Sequence, residues 1–166
     1  IGSPLVDPDT KEILGNEAIF LGTARMLTQG DVASFFLQTS KEEVATGDFL
    51  MPAPKPDVLS YLPHAPAKTI QARVLAIYGG VSFGGPQGIV VLNRGKQDGL
   101  EMGHVLAVDK AGMVIDDRYQ GEKKTYTLPD ARNGLIFVFR IMDRVSYALI
   151  MSAQQPVVVG DSVHTP

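Results

Sequence analysis

Residues 31–52 read DVASFFLQTSKEEVATGDFLMP, and residues 143–166 read DRVSYALIMSAQQPVVVGDSVHTP. Both stretches contain an Asp, a Ser, an apolar run that includes an aromatic residue, a second Ser, a Gly-Asp pair and a final Pro. This self-similarity predicts that one β-type packing unit occurs more than once, which is typical of scaffold and binding proteins. The matched residues are Asp31 with Asp143, Ser34 with Ser146, Ser40 with Ser152, and, after a one-residue shift, Gly47-Asp48 with Gly160-Asp161.

Residue patterns typical of β-strands occur along most of the chain. Runs of apolar, β-branched and aromatic residues are separated by turn residues such as Gly, Pro, Asn and Asp. Helix signals are weak, and only Ser40–Thr46 is predicted to form a single capped turn, with Ser40 as the cap. The sequence therefore predicts an all-β fold. The predicted strands are Pro4–Val6, Glu12–Gly15, Ala18–Leu27, Val32–Thr39, Gln71–Tyr78, Gly88–Leu92, Val105–Asp109, Met113–Ile115, Gly134–Met142 and Val145–Ser152.

A proline-rich stretch separates the two copies of the repeat, with Pro at positions 52, 54, 56, 63 and 66. Because proline cannot donate a ladder hydrogen bond and favours extended polyproline conformation, residues 55–68 are predicted to form a semi-rigid connector. Residues 1–54 match only the second half of the unit and are predicted to be a truncated β-module. Residues 69–166 are predicted to be a complete small β-barrel module. The expected architecture is two tandem small β-barrel or SH3-like modules, and we expect upstream sequence of a longer parent protein to complete the first.

Composition excludes several classes of function. The chain has 166 residues, 45% of them hydrophobic, which is enough for a packed core. Its 15 basic and 18 acidic residues give a net charge of −3, so we predict no nucleic-acid partner. The absence of cysteine excludes disulfides and thiol chemistry. The longest apolar runs have five residues, against roughly 20 for a spanning helix, so no membrane insertion is predicted.

Five segments together carry a resemblance to a known family: PLVDPDTKEILG at 4–15, GDFLMPAPKPD at 47–57, LPHAP at 62–66, IYGGVSFGGPQGIVVLNRGKQDGLEMGHVLAV at 77–108 and LPDARNGLIFVFRIMDRVSYALIMSA at 128–153. Over nearly its whole length the chain resembles the C-terminal region of LysM-domain-containing peptidoglycan-binding proteins of proteobacteria. A shorter stretch, residues 93–108, is also similar to the C-terminal barrel module of flagellar assembly protein T.

The resemblance implies a periplasmic or cell-envelope location and a non-enzymatic role. In that family a LysM domain contacts the glycan of the cell wall, and no LysM domain or signal peptide is present in this chain. Peptidoglycan is therefore expected to be contacted through a LysM domain outside these residues. Other envelope proteins are the second class of expected partner, and no cofactor is implied.

One serine fits a hydrolase pattern, because residues 80–84 read GVSFG and satisfy G-x-S-x-G around Ser82. That mechanism needs the serine on a sharp turn from a strand into a helix, with an acid and a histidine to activate it. The residues after Ser82 predict a glycine-rich loop and a further strand instead. No catalytic residue is therefore predicted.

Metal-ligand patterns are also missing. His64, His104 and His164 lie far apart in the sequence, with neither H-x-H nor H-E-x-x-H spacing, so no metal site is predicted. Asp48 and Asp161 are interpreted as turn residues repeated with the module rather than as paired functional carboxylates.

Two hypotheses of function follow. The first is a non-enzymatic structural or interaction region of a periplasmic, peptidoglycan-associated LysM protein, which supports cell-wall binding or contacts partner proteins. The alternative is a cell-envelope hydrolase or esterase that uses Ser82, or a flagellar or envelope assembly scaffold. The sequence alone leaves the ligand-binding residues unknown.

Overall fold

A computed structural model describes residues 2–53, 62–79, 81–117 and 124–166, and these residues confirm the all-β prediction. They contain no α-helix and only one short 3₁₀ turn, Lys96–Asp98. In the same residues, no helix is long and apolar enough to cross a membrane. Strands β1 to β14 are, in order, Pro4–Val6, Ile13–Asn16, Gly22–Thr28, Ser34–Ser40, Gln71–Ile77, Phe83–Gly84, Ile89–Leu92, Val105–Lys110, Val114–Asp117, Lys124–Thr127, Ala131–Ile141, Ser146–Ala153, Val157–Val158 and Ser162–His164.

Six of these strands close into a barrel in the order β11-β12-β7-β5-β14-β8, with β8 pairing back onto β11. Every pairing in the barrel is antiparallel. Register shifts interrupt the long strand β11 on both sides, which is how bulges bend a strand enough to close a small barrel. The other strands form four two-stranded pairs: β1 with β2, β3 with β4, β9 with β10, and β6 with β13. Closure leaves the six barrel strands with no free edge.

The interior of the barrel is a single apolar cluster. Alternate residues of β11 and β12 point inward, so Ile136, Val138, Ala148 and Ile150 are almost completely buried. The residues between them face outward and are only half buried. The full set of buried residues in this cluster is Ile70, Ala72, Val74, Ile77, Val90, Leu92, Leu100, Leu106, Val108, Ile136, Val138, Ala148, Ile150, Val157 and Val163.

A second, smaller apolar cluster lies on the outside of the barrel. Leu5 packs there against Leu75, Val91 and Val145. This contact explains why β7 reads Ile-Val-Val-Leu without alternation, because its outward face is covered as well as its inward face. By contacts the chain divides into two compact units, Ile1–Pro4 with Gly15–Leu59 and Leu5–Leu14 with Ser60–Pro166. The predicted boundaries of the repeat, 1–54, 55–68 and 69–166, follow sequence similarity and stay a prediction.

The hairpin β3–β4 has the same internal register as the hairpin β11–β12. In β3 the pairing shifts between Thr23 and Ala24 and again between Met26 and Thr28. In β11 it shifts at the equivalent places, between Leu135 and Ile136 and between Val138 and Arg140. The two hairpins are therefore local copies of each other, down to their bulges.

This register corrects the residue matching taken from the sequence. Ser34 pairs with Thr28 and is equivalent to Tyr147, which pairs with Arg140, so matching Ser34 to Ser146 was wrong. Ser40 pairs with Gly22 and is equivalent to Ala153, which pairs with Gly134, so matching Ser40 to Ser152 was wrong as well. The one-residue offset between the two copies therefore lies in the loop that joins the two strands of the hairpin, and not just before the Gly-Asp pair. Identical turn residues misled the alignment, whereas the side-chain face fixes the register, because a one-residue slip exchanges the inner and outer faces.

The predicted capped turn at Ser40–Thr46 was also wrong. Ser40 is the last residue of β4, and its hydroxyl donates to the carbonyl oxygen of Glu42 instead of capping a helix. Of the predicted connector, residues 55–61 lie outside the described residues. In its described part, His64 pairs with His104 through an isolated parallel bridge.

Candidate functional site

Ser82 lies in the loop between β5 and β6, and the elements that follow it are the strands β6 and β7. No α-helix follows Ser82 in the part of the chain described here, and the next elements are strands, so the strand–serine–helix geometry of a nucleophile elbow is missing. The three histidines form their ring hydrogen bonds elsewhere. His64 bonds the carbonyl oxygen of Leu62, His104 the amide of Glu101 and His164 the carboxylate of Asp109. Among the described residues, none of these ring hydrogen bonds involves Ser82.

The Gly-Asp pairs of the repeat form two turns with the same hydrogen bonds, at residues 45–48 and 158–161. In each, a carboxylate oxygen of the Asp accepts the backbone N–H three residues earlier, at 2.7 Å for Asp48 and 2.9 Å for Asp161. The N–H of each Asp donates back to the carbonyl oxygen of that same residue, at 3.2 Å in both turns. The glycine before each Asp has a positive φ, 104° and 92°, as position three of a type II turn requires. Both carboxylates are therefore used in closing turns.

A third turn of this kind contains a histidine in place of the Asp. In residues 101–104, Nδ1 of His104 accepts the N–H of Glu101 at 3.1 Å, and the N–H of His104 donates to the carbonyl oxygen of Glu101 at 3.3 Å. Gly103 again has a positive φ of 99°. The hydrogen bond at Nδ1 assigns the proton of the neutral ring to Nε2.

His64 is held against this third turn by its backbone. Its N–H donates to the carbonyl oxygen of Gly103 at 3.0 Å, and its own carbonyl oxygen accepts the N–H of Val105 at 2.8 Å. The two imidazoles meet edge to face, with ring centroids 4.9 Å apart. Nδ1 of His64 lies 2.9 Å from the carbonyl oxygen of Leu62 and donates to it, since a carbonyl can only accept. The prediction from sequence missed this contact because a tertiary pairing, not local spacing, creates it.

The ligand atoms of His64, Glu101 and His104 all lie within 4.8 Å of one another, which is close enough to ask whether they hold a metal ion. His64 fits such a role, since its Nδ1–H is fixed by a carbonyl and its Nε2 carries a lone pair. His104 does not fit. A cation at Nδ1 would break the hydrogen bond from the Glu101 N–H that closes the turn. A cation at Nε2 would have to displace the ring's only N–H proton, because Nδ1 already accepts that hydrogen bond with its lone pair. The cluster is therefore better explained as a turn that anchors His64.

The protonation of His104 depends on its surroundings. Burial and the neighbouring His64 hold the pKa of the His104 imidazole below its usual value of 6.5, and Glu101 opposes them only in part. The neutral ring that the turn needs as an acceptor is therefore the favoured form near neutral pH.

A polar cleft of about 250 Å³ lies between the loop after β1 and the barrel. Asp7 is buried there, and its carboxylate accepts the N–H groups of Asp9 and Thr10 and the side-chain amide of Asn93. Burial alone would raise the pKa of Asp7, but these hydrogen bonds outweigh it and hold that pKa below its ordinary value. Asn93 in turn bonds the N–H of Arg73, in β5, at 2.7 Å. The hydrogen bonds of Asn93 thus connect the N-terminal hairpin to the barrel.

The charges at the mouth of this cleft pair with each other. Arg144 donates two hydrogen bonds to the carboxylate of Glu12, at 2.9 and 2.7 Å. These hydrogen bonds and the charge of Arg144 hold the pKa of Glu12 below its usual value. Arg94 forms an ion pair with Asp98 at 3.6 Å. Both guanidinium groups have a protein partner, so the cleft is built to hold the fold together rather than to bind an anion.

No protein-family model and no curated protein matches this chain. The function is therefore proposed from the geometry described above and from the resemblance of the sequence.

Proposed function

We propose that the chain is a non-enzymatic structural and interaction region of a periplasmic, peptidoglycan-associated LysM protein. Peptidoglycan would be bound by a LysM domain outside these residues, and this region would position that domain or contact envelope proteins. The proposed architecture is two tandem SH3-like modules, the first incomplete, joined by a proline-rich connector.

The observation that carries the proposal is how the polar side chains of the loops are used. Asp48, Asp161 and His104 close turns, Asp7 and Asn93 join a hairpin to the barrel, and the barrel interior is filled with apolar side chains. A packed barrel whose polar loop groups bond one another fits a scaffold better than a catalyst, which needs aligned reactive groups in a cleft.

Purified sacculi test the proposal. Residues 1–166 alone are expected to stay in the supernatant when sacculi are pelleted, whereas the same residues preceded by a LysM domain are expected to pellet with them. Strong binding by residues 1–166 alone would contradict this division of roles. Release of soluble muropeptides by residues 1–166 would contradict the non-enzymatic assignment.

The alternative function, a hydrolase or esterase that uses Ser82, is tested by a substitution of that serine. We expect Ser82→Ala to leave unchanged any trace of ester or muropeptide hydrolysis in a purified sample, because Ser82 lacks the geometry of a nucleophile. A loss of such hydrolysis on this substitution, with the thermal midpoint unchanged, would favour the hydrolase.

A further inference from the structure

The hairpin β3–β4 reproduces a hairpin that is fully enclosed elsewhere in this chain. In the barrel, the outer edge of β11 pairs with β8, where Ile136 lies opposite Leu106. The outer edge of β12 pairs with β7, where Ala148 lies opposite Val90. Among the described residues, β3 and β4 pair only with each other, so both of their outer edges are open.

The inward positions of the barrel are apolar in the first copy as well. The buried residues Ile136, Val138, Ala148, Ile150, Val157 and Val163 define the interior in the second copy. Register and turn geometry place an apolar residue at each equivalent position of the first copy. These residues are Ala24, Met26 (50% exposed), Phe35 (40%), Leu37 (46%), Val44 (46%) and Leu50 (63%). All of them except Ala24 are exposed, whereas their equivalents in the second copy are buried.

We propose that the β3–β4 hairpin is an unfinished half-barrel that binds a polypeptide segment as added β-strands. One strand would run antiparallel to β3, beside Ala24, and another antiparallel to β4, beside Phe35. These are the positions that β8 and β7 occupy against the second copy. Main-chain hydrogen bonds along both edges would supply affinity, and apolar side chains at alternate positions would fill the exposed inner face.

The required occupant is a polypeptide segment with the apolar strand residues of Gln71–Lys110, which supplies β5, β7 and β8 to the complete barrel. A second copy of this chain does not meet the requirement. Its own β5, β7 and β8 are already paired within its closed barrel, so it has no free copy of these strands to add. A two-stranded hairpin is marginally stable in water, so an apolar one gains most from added strands. The proposed strand addition does not depend on glycan binding or on cellular location.

The experiment supplies the missing strands from the chain itself. Residues 69–112 are fused directly before Ile1 of the full chain, which reproduces the spacing that precedes the second hairpin. Amide hydrogen exchange then reports each hairpin separately. We expect protection at Ala24, Met26 and Leu37 to rise by about tenfold or more, while β11 and β12 stay as protected as before.

Two substitutions on β4 distinguish strand addition from nonspecific association of apolar surfaces. Leu37→Asp places a charge on the inner face and is expected to abolish the gain in protection. Phe36→Asp, on the opposite face of the same strand, is expected to keep it. Protection of β11 and β12 in the same sample shows that the second barrel is still folded.

Two results would overturn the proposal. The first is unchanged exchange in β3 and β4 after the fusion. The second is a dimer of the unfused chain in sedimentation, with β3 and β4 already protected, since a second copy would then be the occupant.

Discussion

Gly134, in β11, lies where the neighbouring strand passes too close for any side chain. A Cβ built at this position would come within 1.9 Å of the carbonyl oxygen of Ser152, and the equivalent Gly22 shows the same approach, 2.0 Å from the carbonyl oxygen of Thr39. Such contacts are with backbone, which cannot move aside without distorting the ladder. The glycine is therefore part of the repeated hairpin geometry rather than a break in a strand.

We predict that Gly134→Ala destabilises the barrel by about 3 kcal/mol, near the upper end for overpacking, measured as the change in urea unfolding free energy. Gly85→Ala is the matched control in the same unit, because a Cβ there meets nothing within 4 Å. Equal unfolding free energies for the two variants would refute the close approach.

His104 makes stability depend on pH. Its imidazole must stay neutral to accept the Glu101 N–H, and its folded pKa lies below the ordinary 6.5. As pH falls below 6.5, the unfolded chain binds a proton that the folded chain does not, so stability is lost from there down to the folded pKa. Above 6.5 this histidine contributes no pH dependence.

The variant His104→Asn isolates this effect, because an Asn side chain can accept the same N–H and does not titrate. We expect the urea midpoint of the native chain to fall more than that of the variant between about pH 7.5 and about pH 5.5. Comparing the two chains cancels the carboxylates, which titrate in both. An equal or smaller fall in the native chain would show that His104 is not the titrating group.

At the scale of elements, the hairpin of residues 5–14 is a structural part of the barrel unit. Leu5 is 4% exposed against the outer face of the barrel, whereas Ile13 of the same hairpin is 61% exposed. We predict that Leu5→Ala lowers the unfolding free energy by about 2–3 kcal/mol and that Ile13→Ala changes it by no more than about 0.5 kcal/mol, both by urea unfolding. Similar small effects at both positions would mean that the hairpin does not pack on the barrel in solution.

Strands with a sustained pattern could be predicted from the sequence, and short ones could not. The strands β5, β11 and β12 have seven or more residues with clear apolar signals, and their predicted bounds were close to those observed. The strands β6 and β13 have two residues each, too few to show any periodicity. Their pairing is decided by the barrel around them, a tertiary effect that no local pattern contains.

The role of the turn residues could be predicted as well, but contacts between residues far apart in the sequence could not. Asp48 and Asp161 were interpreted as turn residues, and their hydrogen bonds agree. The contact of His64 with His104 and the pairing of Glu12 with Arg144 join positions far apart in the chain. Contacts of this kind depend on how the strands associate, so spacing along the sequence gave no signal for them.

At the scale of the whole molecule, we propose that one β-module is used twice, closed in the second copy and open in the first. The hairpin β11–β12 contributes to the packed apolar core of the barrel, whereas the apolar residues of β3 and β4 are mostly exposed. The proposed combination of one closed and one open module would suit a protein that holds other polypeptides.

Amide hydrogen exchange of the unmodified chain, resolved by residue, shows whether the first module is open and the second closed. We expect strong protection at Ile136 and Ile150, which lie in the closed barrel, and weak protection at their equivalents Ala24 and Leu37. Equal, strong protection in both hairpins of a monomeric sample would contradict it, because the first copy would then be as complete as the second.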